Sequence, residues 1–124
     1  MNRGVFDSDV VIDFLQNEQR ASETIAQYQE RLISRVTWIE VLVRAADAAE
    51  EGRIRSVLQR FQIVELNHSI AERALDLRRN HTPKLKLPDA IIYATAQEAG
   101  CPLITRNTRD FSSAAPDITV PYTI

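Results

Sequence analysis

Short apolar runs alternate with helically spaced segments along all 124 residues, and this alternation restricts the fold more than any other feature of the chain. Val5-Phe6, Leu32-Ile33-Ser34, Ile63–Leu66, Pro102–Thr105 and Ile118–Val120 read as five short strands. After the first, Val10, Val11, Phe14 and Leu15 recur at helical spacing, and residues 21–30 make a second short helix. Trp38, Val41, Leu42 and Ala45 form the stripe of a third helix; Gly52 punctuates the pair, and Ile54, Val57, Leu58 and Phe61 continue the pattern. Asn67 caps a helix with Ile70, Ala71, Ala74 and Leu75 facing inward. Pro88 opens a last helix, which Gly100 stops. Strands separated by helices call for a parallel sheet covered on both faces. The expectation is an α/β fold: a three-layer α/β/α sandwich with a short-stranded, mainly parallel central sheet, as one domain over residues 1–124.

Composition narrows the function classes. A formal net charge of −2 excludes a globally basic nucleic-acid binder. The charges are nevertheless unevenly placed. Residues 7–30 carry Asp7, Asp9, Asp13, Glu18, Glu23 and Glu30 against Arg20 alone; residues 73–86 carry Arg73, Arg78, Arg79, Lys84 and Lys86 against Asp76. The basic stretch is either a phosphate track or the solvated face of a surface helix. The single cysteine, Cys101, forbids an intrachain disulfide and cannot build a structural zinc site. No basic-then-apolar leader and no stretch of ~20 apolar residues is present, which points to a cytoplasmic protein without membrane contact.

Three carboxylates stand at strand-to-helix passages or helix starts: Asp7 after Val5-Phe6, Glu40 in Thr37-Trp-Ile-Glu40, and Asp89 in Leu87-Pro-Asp89. Ligands of open α/β sheets bind at the carboxyl ends of the strands. Acids gathered there repel one another, and a divalent cation holds such a cluster together at least cost. Each acid also has a structural explanation. Asp89 is a good helix-start residue, Glu40 completes a capping box with Thr37, and Asp7 is a possible cap, although Ser8 or Asp9 serves equally well. Asp9 and Asp13 read as cap and surface residues. A further strand end brings Asn107 and Asp110. Oxygen donors without Cys or His suit Mg²⁺ or Mn²⁺; His68 and His81 read as surface or loop residues. With three glycines, no phosphate-cradling loop and no G-x-S-x-G elbow, nucleotide-binding and serine-hydrolase folds are disfavoured. A cation in this setting activates water for phosphodiester hydrolysis. Arg106, Arg109 and Lys86 are candidate phosphate contacts, or loop charges in solvent.

Val5-Phe-Asp-Ser-Asp-Val-Val-Ile-Asp-Phe-Leu15, Val36-Thr-Trp-Ile-Glu-Val-Leu42, Lys86-Leu-Pro-Asp-Ala-Ile-Ile-Tyr-Ala-Thr-Ala96 and Leu103-Ile-Thr-Arg-Asn-Thr-Arg-Asp-Phe111 resemble, in order and at family-like length, the four signature stretches of PIN-domain proteins. The VapC-type toxins of bacterial and archaeal toxin–antitoxin pairs are the nearest match. The resemblance implies a Mg²⁺- or Mn²⁺-dependent endoribonuclease in which Asp7, Glu40 and Asp89 bind metal, with Asn107 or Asp110 assisting. It also implies a homodimer, an RNA substrate, and a small antitoxin whose C-terminal segment covers the active site. Asp9 stands where the family more often has serine or asparagine, and Arg44-Ala-Ala where many relatives have glycine. The alternatives are a PIN-type nuclease acting in RNA processing or on DNA without an antitoxin, and a binding module that kept the fold and lost catalysis.

Overall fold

The computed structural model describes residues 2–124. Five strands, β1 (Arg3–Phe6), β2 (Glu30–Ser34), β3 (Gln62–Val64), β4 (Leu103–Ile104) and β5 (Ile118–Thr119), form one sheet in the order β3-β2-β1-β4-β5. Every neighbouring pair is parallel. The helices are α1 (Ser8–Leu15), α2 (Gln19–Ala26), α3 (Arg35–Leu42), α4 (Ala48–Leu58), α5 (His68–Asn80) and α6 (Leu87–Ala99). The expected three-layer sandwich is the fold.

The strands show why. Successive strand side chains point to opposite faces. Val5, Leu32 and Leu103 enter one core with Ile70, Leu85, Phe111 and the buried face of α6. Their neighbours Phe6, Ile33 and Ile104 enter the other, with Val10, Val11, Val41, Ile54 and Leu58. The register places Val5 beside Leu32 and Leu103, so each layer is continuous across three strands. Both faces being buried, the central strands are apolar where they cross the middle of the sheet, at Val5-Phe6 and Leu32-Ile33, and their charged residues Arg3, Glu30 and Arg31 stand at the entry side. Helix α6 is buried from Ala90 through Ala96, which explains why its sequence is apolar all round rather than striped.

Several boundaries differ from the sequence expectation. Ser34, not Thr37, is the N-cap of α3, its hydroxyl accepting from the Val36 N–H at 3.1 Å. Because β2 passes into α3 without a loop, Thr37 lies inside the helix and is fully buried. Gly52 does not break a helix; it sits within α4, which Asp47 caps by accepting from the Glu50 N–H at 2.8 Å. Asn67 caps α5 as expected, accepting from Ile70 N–H at 2.9 Å. Gly100 ends α6 in the left-handed conformation at φ 68°.

Candidate functional site

The strand order reverses direction at β1. Strands β2 and β3 lie on one side of it and β4 and β5 on the other, which makes the gap beyond the carboxyl ends of β1 and β4 the switch point where open α/β sheets bind ligands. Asp7 directly follows β1 and Thr105 directly follows β4, and the Asp7 N–H donates to the Ile104 carbonyl at 2.9 Å. Helices α1 and α3 begin at this edge because each follows its strand directly, and α6 begins there because it runs back before β4. Their positive dipole ends favour ionised carboxylates and phosphates in the gap.

Asp7 is the centre of the arrangement. It is the N-cap of α1 and only 5% exposed. Its Oδ1 accepts from the Ser8 N–H at 2.7 Å and its Oδ2 from the Thr105 hydroxyl at 2.8 Å. The Thr105 oxygen in turn accepts the Asn107 N–H at 3.0 Å, and its single proton goes to Asp7 at 2.8 Å rather than to the more distant Asp9 Oδ2 at 3.4 Å. Burial, and then the charges of Asp9 and Asp89, push the Asp7 carboxyl up to about 8 despite these hydrogen bonds. Asp9 is raised to about 6, again mainly by burial, with the Arg106 guanidinium opposing. One Asp9 oxygen, Oδ1, is buried without a hydrogen-bond partner. Asp9 thus faces the cluster rather than serving as a cap.

Glu40 comes from the second turn of α3. It accepts the Ser8 hydroxyl proton at 2.5 Å, and the Ser8 oxygen also lies 3.0 Å from the Thr37 hydroxyl. Asp89, in the first turn of α6, is half-buried. Burial raises its carboxyl, the Asp110 and Glu40 charges raise it further, and the Lys86 ammonium lowers it. Asn107 and Asp110 form a closed pair. The Asn107 amide donates to Asp110 Oδ2 at 2.9 Å, and the Asp110 N–H returns a bond to Asn107 Oδ1 at 3.2 Å. The structure therefore brings Asp7, Glu40, Asp89 and Asp110 to one edge with Asp9 beside them, while the Asn107 side chain holds Asp110.

Among the described residues no three of these acids stand close enough to enclose an ion by themselves. The donor set nonetheless fits a hard cation. All donors are oxygen, one buried carboxylate oxygen is unpartnered, and Mg²⁺ characteristically takes one or two carboxylates and completes its shell with water and substrate phosphate.

Other expected contacts fall differently. Arg106 turns to Asp13, donating from Nε at 2.6 Å and from a terminal nitrogen at 3.1 Å. Asp13 also accepts the Tyr122 hydroxyl at 2.8 Å and is only 5% exposed, so it is no surface residue. This pair fastens the loop after β4 to α1. Asp13→Ala leaves Arg106 and Tyr122 without their acceptor and should cost about 1–3 kcal/mol of stability in a denaturant melt. An unchanged melt would contradict that role. Arg109 and Lys86 are exposed. Of the basic stretch, Arg73 pairs with Glu98 at 2.5 Å and Arg78 donates to the Leu85 carbonyl at 2.6 Å. Ser8, Thr105, Asp13 and Tyr122 were not anticipated as site residues. Thr105, sitting between a strand end and the Asn107–Asp110 pair, carried the readable signal.

The profile of the PIN domain matches residues 5–115. The chain belongs to the PIN-domain family. PIN domains are nucleases, and the acidic edge of this one lies where its four signature stretches meet. Among solved structures, this PIN domain is similar to a toxin–antitoxin complex from Klebsiella pneumoniae, with 40% identity, a TM-score of 0.89, and 98% of this chain and 99% of that chain covered. FitAcB from Neisseria gonorrhoeae is 17% identical at a TM-score of 0.77, covering 98% and 99% of the two chains. VapBC-5 from Mycobacterium tuberculosis is 20% identical at 0.70, covering 96% and 98%. These last two share the fold. None of the curated proteins matches the chain. No helix among the described residues is long and apolar enough to cross a membrane.

Proposed function

We propose that this PIN domain is a divalent-cation-dependent endoribonuclease and the toxin of a toxin–antitoxin pair. The observation that carries the nuclease reading is the acidic edge itself. Asp7 is buried at the switch point, and its carboxyl is pushed to about 8 by burial and by Asp9 and Asp89. A site that strains its own acids in this way is built for a positive partner. Asp7, Glu40 and Asp89 would hold Mg²⁺ or Mn²⁺ together with water and substrate phosphate completing its shell, with Asp110 as the fourth acid and Asn107 as its positioning residue. When bound, the cation supplies the Lewis acid that activates water and stabilises the departing oxygen. Thr105 and Ser8 keep the Asp7 and Glu40 carboxylates aimed into the gap, and Lys86 and Arg109, exposed beside it, take the substrate phosphates.

The toxin reading is supported by the 40% identical chain of a toxin–antitoxin complex, which this chain matches over nearly its full length. An antitoxin also has a place to bind. A groove of about 830 Å³ runs between α1, α3 and α4, lined by Ile12, Phe14, Leu15, Val41, Ile54 and Val57, with Arg44, Glu50 and Arg53 among its polar groups. Such an apolar groove accepts an amphipathic helix. The test is expression in bacteria. Wild type should arrest growth, co-expression of a small protein encoded next to its gene should relieve the arrest, and Asp89→Asn should grow normally. Arrest by Asp89→Asn equal to wild type would overturn the reading. Leu15→Glu with Val57→Glu should weaken the antitoxin complex at least tenfold while sparing cleavage, since buried interface anchors carry most binding energy. Equal affinity of that double variant would move the antitoxin elsewhere.

A further inference from the structure

A second cavity, of about 360 Å³, adjoins the acidic edge and shares one wall with it, because Asp110 lines the cavity and also acts on Asp89. Its floor is aromatic. Tyr93 and Phe111 meet edge to face at 5.4 Å, and His81 meets Tyr93 at 6.0 Å and Phe111 at 6.2 Å. The wall is rigid. Phe111 is buried in the core, and the Tyr93 hydroxyl is tied to Asp117 at 2.7 Å. His81 is oriented as well, since its Nδ1 lies 2.7 Å from the Pro83 carbonyl. A carbonyl only accepts, so Nδ1 carries the proton and, in the neutral ring, Nε2 is left as an acceptor. The mouth is polar, with Ser113 and the exposed Arg109, whose guanidinium forms no ion pair or side-chain hydrogen bond among the described residues. Aromatic floor, fixed imidazole, free hydroxyl and free guanidinium together match the parts of a nucleotide.

We propose that this cavity is a nucleobase subsite, in which one unpaired base adjacent to the scissile phosphate lies against the partly exposed His81 ring, which the buried Tyr93 and Phe111 rings back from the core, while Arg109 holds its phosphate. The assignment rests on the ribonuclease reading. Sequence-specific RNA recognition commonly acts on splayed, unpaired bases, through aromatic contact and edge hydrogen bonds. The antitoxin groove has aliphatic walls with Phe14 as its only ring, and is not equipped for it. Such a wall gives the enzyme a base preference on one side of the cut, and the edge presented to His81 selects among bases with an exocyclic amino group.

Two measurements on the full chain test the subsite. The protein has two histidines, His68 and His81, and His68 is exposed at the start of α5. Imidazole proton resonances are followed during titration with each of the four ribonucleoside 5′-monophosphates, and with inorganic phosphate alone. At least one nucleotide should shift the His81 signals and leave those of His68 in place. Cleavage of a randomised RNA oligonucleotide pool with Mn²⁺ should show a preferred base beside the cut. His81→Ala should flatten that preference about tenfold, the size of one lost base contact. Ser113→Tyr, which fills the mouth without touching the buried wall, should do the same if His81→Ala misfolds. Unmoved His81 signals together with an unchanged base preference would overturn the subsite while leaving the nuclease intact. A shift with phosphate equal to that with every nucleotide would reduce it to an anion site and also overturn it. If wild type cleaves no RNA at all, the ribonuclease reading falls. The titration then decides the cavity alone, a nucleotide-specific His81 shift supporting it and its absence removing it.

Discussion

Asp7→Asn should lower RNA cleavage by more than about a hundredfold and, in EDTA at pH 8, make the protein more stable than wild type. The first effect follows from position. Residues that merely orient metal ligands typically cost 10–100-fold when removed, and Asp7 stands at the centre of the cluster, held by Ser8 and Thr105 and acted on by Asp9 and Asp89. The second effect follows from electrostatics. The Asp7 carboxyl binds its proton up to about pH 8 in the folded chain, against an ordinary value of 3.8. Between those values folding takes up a proton, so cation-free stability falls as pH rises from about 4 to about 8 and levels off above. Each pH unit in the window costs about 1.4 kcal/mol at most. Asp9, raised to about 6, adds to the slope in its lower part. An uncharged amide at position 7 removes the Asp7 contribution, and sites strained for function are where such stabilising losses of activity arise. Thermal melts at pH 5 and pH 8 read the difference. A variant that is inactive and also less stable at pH 8 would show that Asp7 is a structural residue.

The same proton governs cation affinity. A cation must displace it, so the apparent Mn²⁺ affinity should rise about tenfold per pH unit between pH 6 and 8, close to a hundredfold overall, and flatten above. Isothermal titration in two buffers of different ionisation enthalpy measures both the affinity and the proton released. Mn²⁺ should accordingly raise the melting temperature more at pH 8 than at pH 6. Affinity that does not change across this range would mean that Asp7 is already ionised without a cation, contrary to its burial beside Asp9 and Asp89.

The layers of the fold were readable because alternation along a buried strand is a local property. Val5 and Phe6, Leu32 and Ile33, and Leu103 and Ile104 each announce two faces, and the structure sends them to two cores. Asp7, Glu40, Asp89 and Asp110 were readable as acids beside strand ends or helix starts. What sequence did not carry was strand order. Pairing of β4 with β1 sets Thr105 against Asp7 across 98 positions, and no local pattern encodes that contact. The role of Asp13 is hidden in sequence for the same reason, since its partners Arg106 and Tyr122 lie 93 and 109 positions away. Thr37 was misplaced as a cap because Ser34 offers the same chemistry one turn earlier, at the point where β2 ends. Sequence leaves Asn107 and Asp110 as alternatives; the structure joins them by reciprocal hydrogen bonds, and the proposed site takes Asp110 as the acid and Asn107 as its positioning residue.

The central claim is that acids converging at the β1/β4 switch point make a cation-dependent ribonuclease. Cleavage of structured RNA by wild type and by Asp89→Asn, each with Mn²⁺ and with excess EDTA, tests it most directly. Wild type with Mn²⁺ should cleave, and the other three reactions should leave the RNA intact. Cleavage that survives EDTA, or that proceeds undiminished in Asp89→Asn, would contradict it.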